Sequence, residues 1–201
     1  MPTYSAIRDQ NQETLRRAVV AAADQLLRAH GAEAVTVRRI AQQLDCSTTV
    51  IYNLFGSKDG LANMLYREGC HLLHATLAAV PPHPDPARYL QDLAWGYRAF
   101  ADQYPHYYRL MFSGSLPQFT PDPTSMQDVA TAMALLLEVL ERYTALGVLR
   151  CQDAPQTAMM LWGALHGVIQ LGFAGHLGDA ATSRAIYAHT VATLVTALLL
   201  V

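Results

Sequence analysis

Residues 36–61 read TVRRIAQQLDCSTTVIYNLFGSKDGL, and this stretch decides the fold. Thr36 is a natural helix N-cap, because its hydroxyl can satisfy an otherwise orphaned backbone N–H. The helix it opens carries Ile40, Ala41 and Leu44 and stops near Asp45. A second, very short helix starts after Ser47 and ends near Leu54 or Phe55, where Gly56 and Ser57 break the chain. Two short helices joined by a three-residue turn suit a helix-turn-helix, with Ala41 small where the second helix must approach closely. Ile40, Leu44, Val50, Ile51 and Phe55 can close a small core. Thr48, Thr49, Tyr52 and Asn53 then stand on the outer part of the second helix, where hydrogen-bonding side chains suit base edges and phosphates.

Working outward, helix signals continue in both directions. Upstream, Leu15, Val19, Ala22 and Leu26 form one apolar stripe on a helix expected from Gln12 to His30, ended by Gly31. Downstream, a fourth helix runs from Lys58 towards Leu77 with Leu61, Met64, Leu65, Leu72 and Leu73 on one side. Pro81, Pro82, Pro84 and Pro86 mark a connection. Helices are then expected over Ala87–Gln103 and Pro105–Met111, followed by a loop from Ser113 to Thr124 that contains Gly114, Pro117, Pro121 and Pro123. Ser125–Leu146, Ala154–Ala174 and Thr182–Leu200 complete the set, separated at Gly147, Gly175 and Gly178. Strand and hairpin signals are nearly absent. The chain therefore reads as all-α. A three-helix N-terminal domain (1–57) is joined by a connecting helix (about 58–78) to a helical-bundle body (79–201).

The 201 residues are 52% hydrophobic and 15% charged, with a formal net charge of −2. So few charges exclude a disordered tail, and the surplus apolar surface suggests an oligomer. The charge balance excludes a protein that binds nucleic acid by bulk charge, but leaves room for one local DNA-binding face. Seven basic and six acidic side chains lie within residues 1–60, and seven and ten in the remainder. The sign favours the N-terminal domain for DNA, so affinity must come from a few phosphate contacts doubled by pairing. Cys46, Cys70 and Cys151 are odd in number and far apart, which fits neither a disulfide framework nor a zinc site. The N-terminus lacks the apolar stretch of a signal peptide. The apolar tail from Val191 is too short to span a bilayer, so a cytoplasmic protein without membrane partners is expected. His71 and His74 stand one turn apart with no further ligand at metal spacing, and no nucleophile, phosphate-loop or metalloprotease motif occurs. Neither a metal, a cofactor nor an enzyme activity is expected.

The segment resembles the DNA-binding domain of the TetR family of bacterial repressors. That family's pattern stands here as Ile40-Ala41, Ser47, Tyr52-x-x-Phe55 and Lys58-x-x-Leu61. Asp45 sits where the family usually has Gly, and Asp tolerates a left-handed conformation better than most residues, at about 1 kcal/mol. Leu54 replaces the polar residue that commonly precedes the Phe. The resemblance implies that Tyr52 bonds a phosphate. Lys58 would bond a second at the start of the fourth helix, where the helix N-terminus favours an anion, and Thr36 a third. It places Ser47, Thr48, Thr49 and Asn53 at the DNA, the last three against bases, and gives Arg38 a base or a phosphate.

In the body, Trp162-x-x-x-His166-Gly167, together with Tyr108 to Phe112 after Pro105, resembles the C-terminal domain of the family's WHG subset. A helix-turn-helix this small needs two-fold pairing to gain contacts. Leu161, Leu165 and Val168, with Leu194 and Leu198, are the expected homodimer interface on the last two helices. An effector site is expected among Trp95, Tyr107, Met111, Met133 and Trp162, with His166 and Gln170 as polar contacts, since mostly apolar walls with sparse polar groups suit a small molecule. With no Arg or Lys in that set, an apolar or aromatic ligand fits best. The resulting expectation is a ligand-responsive dimeric repressor on a palindromic operator. The alternative is a helical ligand-binding or adaptor protein that keeps the helix-turn-helix only as structure.

Overall fold

A computed structural model of the chain describes residues 3–113 and 119–199. In order, its helices are α1 (Tyr4–His30), α2 (Val37–Gln43), α3 (Thr48–Phe55), α4 (Lys58–Ala78), α5 (Pro86–Gln103), α6 (Pro105–Phe112), α7 (Pro123–Ala145), α8 (Ala154–Phe173) and α9 (Ala180–Leu198). A short 3₁₀ turn separates α1 from α2. Among the described residues there is no β-strand, only an isolated bridge between Leu149 and Leu199. No described helix is long and apolar enough to cross a membrane.

The helix ends differ from the sequence expectation where a cap was overlooked. α1 begins eight residues before Gln12, because the Thr3 hydroxyl accepts the Ala6 N–H at 3.3 Å. Glu13 and Arg17 then add an i,i+4 pair on its surface. α9 begins at Ala180 rather than Thr182, because the Asp179 carboxylate accepts the Thr182 N–H at 2.8 Å. α7 starts at Pro123, two residues before Ser125, where the missing proline N–H costs nothing. Gly114 and Pro117 of the expected loop, and Leu200 at the expected end of the last helix, lie outside the described residues. The buried stripe of α1 is also turned slightly: Val19 and Ala22 are buried as expected, but Ala23 and Leu27 complete it, while Leu15 and Leu26 are only half-buried.

Two compact units result. One comprises Met1–Cys70 with Tyr104–Asp128, the other His71–Gln103 with Val129–Val201. This division cuts across the sequence boundaries at 57 and 79, because long-range contacts draw α6 and the start of α7 to the N-terminal helices. A Cβ at Gly69 of α4 would meet the Met111 sulfur of α6 at 2.6 Å, so the two helices touch through that glycine. Asn63 accepts the Ser125 hydroxyl and the Asp122 N–H at 2.8 and 2.9 Å. The Arg67 Nε donates to Asp128 at 2.6 Å. Between α6 and α1, burial and the nearby Asp24 carboxylate push the Tyr107 phenol far above its ordinary pKa. The partners in α4 and α7 are about 60 residues apart in sequence, so no local composition signal announces them.

The second unit is built on α5, α8 and α9. Tyr187 is fully buried and its hydroxyl donates to the Ala94 carbonyl at 2.6 Å, joining α9 to α5. Phe100, Leu140 and Ile169 fill the surrounding core. The Arg150 N–H donates to the Leu198 carbonyl at 2.7 Å and ties the end of α9 to the segment before α8.

Candidate nucleic-acid interface and ligand cavity

The first unit holds the helix-turn-helix, and its local geometry follows from five small or polar residues. Thr36 caps α2, its hydroxyl accepting the Arg39 N–H at 3.3 Å. Asp45 takes φ +48, the only positive φ at a non-glycine residue among those described. The left-handed turn expected where the family carries glycine is therefore made by an aspartate. The Cys46 N–H closes that turn on the Ala41 carbonyl at 2.9 Å. After α3, Gly56 takes φ +74, and the Ser57 hydroxyl accepts the Gly60 N–H at 3.0 Å to cap α4. Gly60 carries a signal that sequence reasoning missed: a Cβ there would sit 1.9 Å from the Phe55 carbonyl oxygen. Only glycine lets the start of α4 lie this close to the end of α3.

Inward, Ile40 and Ile51 are buried and Leu44, Val50, Leu54 and Phe55 half-buried. Leu54 thus packs at a position where the family pattern would place a polar contact. Outward, Thr36, Arg38, Ser47, Thr48, Thr49, Tyr52, Asn53 and Lys58 are all exposed, as is Arg39. Tyr52 leaves 47% of its surface in water. The Ser47 hydroxyl makes no cap bond to its own helix. Lys58 is the first residue of α4, so its ammonium stands by the positive end of a helix. The eight residues expected at DNA therefore share the solvent side of three consecutive elements.

The second unit holds an apolar pocket that opens to solvent. Leu90, Leu93 and Tyr97 of α5, Met133 of α7, and Trp162 and Leu165 of α8 form much of its wall. Tyr97 and Trp162 bring the polar atoms: the Trp162 Nε1–H donates to the Tyr97 hydroxyl at 2.9 Å, and that oxygen lies 3.2 Å from His166 Nδ1. Gln170 Nε2 lies 3.5 Å from the other ring nitrogen of His166. Burial holds the imidazole below its ordinary pKa of 6.5.

Of the residues expected to hold an effector, the structure gathers Met133, Trp162, His166 and Gln170 at or beside this cavity. The other three lie away from it. Tyr107 and Met111 are buried in the first unit, against α1 and α4, because α6 belongs there. Trp95 points elsewhere on α5: it meets the Tyr187 ring edge-on at 5.3 Å and lies under the Arg184 guanidinium at 4.8 Å. Tyr97, overlooked in the sequence, takes their place; it follows Leu90 and Leu93 by seven and four residues on the buried face of α5.

The expected pairing residues differ in how much surface they keep. Leu161, Leu165 and Leu198 are buried within their own unit, and Leu161, Leu165 and Leu194 line the cavity. A side chain already covered by its own chain has little surface left for a second copy. Val168 is half-buried. The apolar surface that α8 and α9 leave in water is Met159, Met160, Leu171 and Ile186, each at least 37% exposed. Between Met159 and Leu171, Gly163 and Gly167 fall at steps of four, and a Cβ at either would meet nothing within 4 Å.

Sequence comparison matches residues 19–65 to the bacterial regulatory proteins of the tetR family and residues 90–194 to the tetracyclin repressor-like C-terminal domain. No curated protein matches the chain. Solved structures share the fold. A protein with unknown function from Rhodococcus sp. RHA1 superposes with a TM-score of 0.81 at 21% identity, over 92% of this chain and 96% of that one. The fatty acid degradation regulator FadR from Bacillus halodurans gives 0.69 at 17%, over 90% and 97%. A TetR variant from Acinetobacter baumannii AYE in complex with minocycline gives 0.61 at 20%, over 89% and 92%. The C-terminal match alone spans more than half of the sequence, and with the helix-turn-helix match before it the conclusion is plain: the chain belongs to the TetR family of bacterial transcriptional regulators.

Proposed function

We propose that the protein is a cytoplasmic, dimeric repressor that binds a palindromic operator in double-stranded DNA and releases it when a small apolar or aromatic effector fills the cavity of the second unit. The observation that carries this reading is the common exposure of Thr36, Arg38, Ser47, Thr48, Thr49, Tyr52, Asn53 and Lys58 around a buried Ile40/Ile51 core. Tyr52, Lys58 and Thr36 anchor phosphates, while Thr48, Thr49 and Asn53 read bases and Arg38 reaches either. Phosphate contacts position the protein and base contacts specify the site.

Two copies pair through the exposed face of α8 and α9, where Met159, Gly163, Gly167 and Leu171 lie along one helix and Ile186 stands on the next. The glycines let helix backbones approach closely, and pairing removes the exposed methionines from water at about 25 cal/mol per Å² of apolar surface. Pairing also sets the distance between the two recognition helices, so half-sites in the operator must match it.

The effector acts through α4, which carries Lys58 at its first residue and the cavity residue Leu77 near its last. A ligand that fits better when the two α3 helices are wrongly spaced for the operator weakens DNA binding. A coupling of about 1–3 kcal/mol shifts the affinity about 5- to 150-fold. The minocycline complex of the Acinetobacter protein supports a small molecule in this fold. The test is a mobility-shift titration against the DNA upstream of the protein's own gene: specific, saturable binding at physiological salt is expected, and binding no tighter than to random DNA of equal length refutes the reading.

A further inference from the structure

We infer that the cavity takes a neutral, chain-like apolar molecule carrying a single uncharged oxygen function, and that Tyr97 is the residue that selects it. This rests on the proposal above that the cavity is the effector site, and it adds the chemistry of the ligand's head.

The cavity wall is hydrocarbon nearly throughout. Among the described residues that line it, none is charged, and only Tyr97 and Trp162 carry a polar side-chain atom. On α5 the lining runs from Leu90 to Tyr97, two helical turns or about 10 Å. Leucine and alanine fill that run until Tyr97 ends it. An extended apolar body laid along α5 therefore meets its first polar group at one end.

That end is a line of neutral groups. The Trp162 indole donates to the Tyr97 hydroxyl at 2.9 Å, the same oxygen lies 3.2 Å from His166 Nδ1, and Gln170 follows at 3.5 Å from the far ring nitrogen. Burial holds the imidazole neutral at physiological pH, so no member of the line carries charge. A phenol hydroxyl can both donate and accept, and a ligand hydroxyl or carbonyl can join the line by a modest turn of the Tyr97 O–H. A carboxylate, a phosphate or an ammonium would leave water without any countercharge, which buried ions do not tolerate. The site thus separates an alcohol or ketone from the acid of the same chain length.

The experiment uses the full-length protein with 1-octanol and, at pH 8, octanoate, followed by calorimetry and by the fluorescence of Trp162 in a Trp95→Phe background. The expected result is octanol bound at least about tenfold more tightly than octanoate. Tyr97→Phe should weaken octanol about three- to tenfold, the worth of one hydrogen bond, and leave octanoate unchanged. Leu165→Trp fills the cavity from α8 and should abolish octanol binding; Met133→Trp does the same from α7 and serves if the first variant does not fold. Octanoate bound as tightly as octanol overturns the neutral-head assignment and leaves the cavity standing as a site. Octanol affinity unchanged in Tyr97→Phe overturns the role of Tyr97. Octanol binding that survives both filled variants, or no binding of either probe, overturns the cavity as the effector site and this inference with it.

Discussion

Replacing Gly60 by alanine adds one methyl group to the first turn of α4, and its effect can be worked from the junction with α3. Inside a helix the change ordinarily stabilises by about 1 kcal/mol, because alanine loses less backbone freedom. Here the new Cβ would lie 1.9 Å from the Phe55 carbonyl oxygen and 3.0 Å from its carbon. The obstacle is main chain, so no rotamer relieves it; the start of α4 must withdraw by about 1 Å before the contact becomes tolerable. Forcing an extra methylene-sized group into a closed space costs about 1–3 kcal/mol, which outweighs the propensity gain at its upper end and leaves a net loss of up to about 2 kcal/mol. For a chain of this length that is a fall in Tm of up to about 8 °C. The displacement also carries Lys58 away from Tyr52 and Asn53, so operator affinity should fall by more than the stability loss alone explains. Thermal unfolding by circular dichroism and fluorescence anisotropy on labelled operator read the two effects. A Gly60→Ala protein that melts at or above the parent temperature and binds DNA as well would refute the close-approach argument.

At Asp45 the opposite change should help: Asp45→Gly removes a side chain from a left-handed position and should stabilise the protein by up to about 1 kcal/mol, seen as a higher Tm. Lys58→Ala should weaken binding to all sequences alike and lower the slope of log affinity against log salt by about one per subunit, whereas Thr48→Ala or Thr49→Ala should change which bases are preferred; both are read from salt titrations on operator and scrambled DNA. Met159→Glu with Ile186→Glu should turn a dimer into monomers in sedimentation velocity at micromolar concentration, with each unit still folded because neither side chain is part of the core. Acid should destabilise the protein in a definite window. His106 and His166 both have pKa values below their ordinary 6.5, His106 through burial and the nearby Arg28 against the opposing Asp24, and His166 through burial. A depressed histidine pKa means that the unfolded chain binds the proton first, so the stability present above pH 6.5 is lost as pH falls through the folded values. Tm should decline as pH falls below about 6.5, and His106→Gln should flatten that decline.

The helix-turn-helix was legible because its determinants are local. Thr36, Asp45, Ser47, Gly56 and Lys58 each act on a turn or helix end within four residues of themselves, and the structure puts caps or breaks at those places. The start of α1 was not read, since the cap at Thr3 lies in a polar stretch whose exposed face carries no apolar stripe to reveal a helix. The membership of α6 was not legible at all. Tyr107 and Met111 look like any aromatic and thioether pair of a helical body, and only the contacts of Gly69 and Asp24, remote in sequence, place them with the N-terminal helices. The same limit explains the leucines of α8. Spacing shows that Leu161 and Leu165 share a face, but a face turned inward to a cavity and one turned outward to a second copy have the same period. The apolar face that α8 leaves in water is marked instead by small and thioether residues, Gly163, Gly167 and Met159, which a search for leucine stripes passes over.

The most direct test of the regulatory account is a footprint of the full-length protein on the DNA upstream of its own gene, at physiological salt and with the Tyr52→Phe, Lys58→Ala double variant alongside. The account predicts protection of two symmetric half-sites, their centres spaced by a whole number of helical turns, that disappears in the double variant at the same protein concentration. Protection of a single unpaired site, or an identical footprint from the double variant, would contradict it.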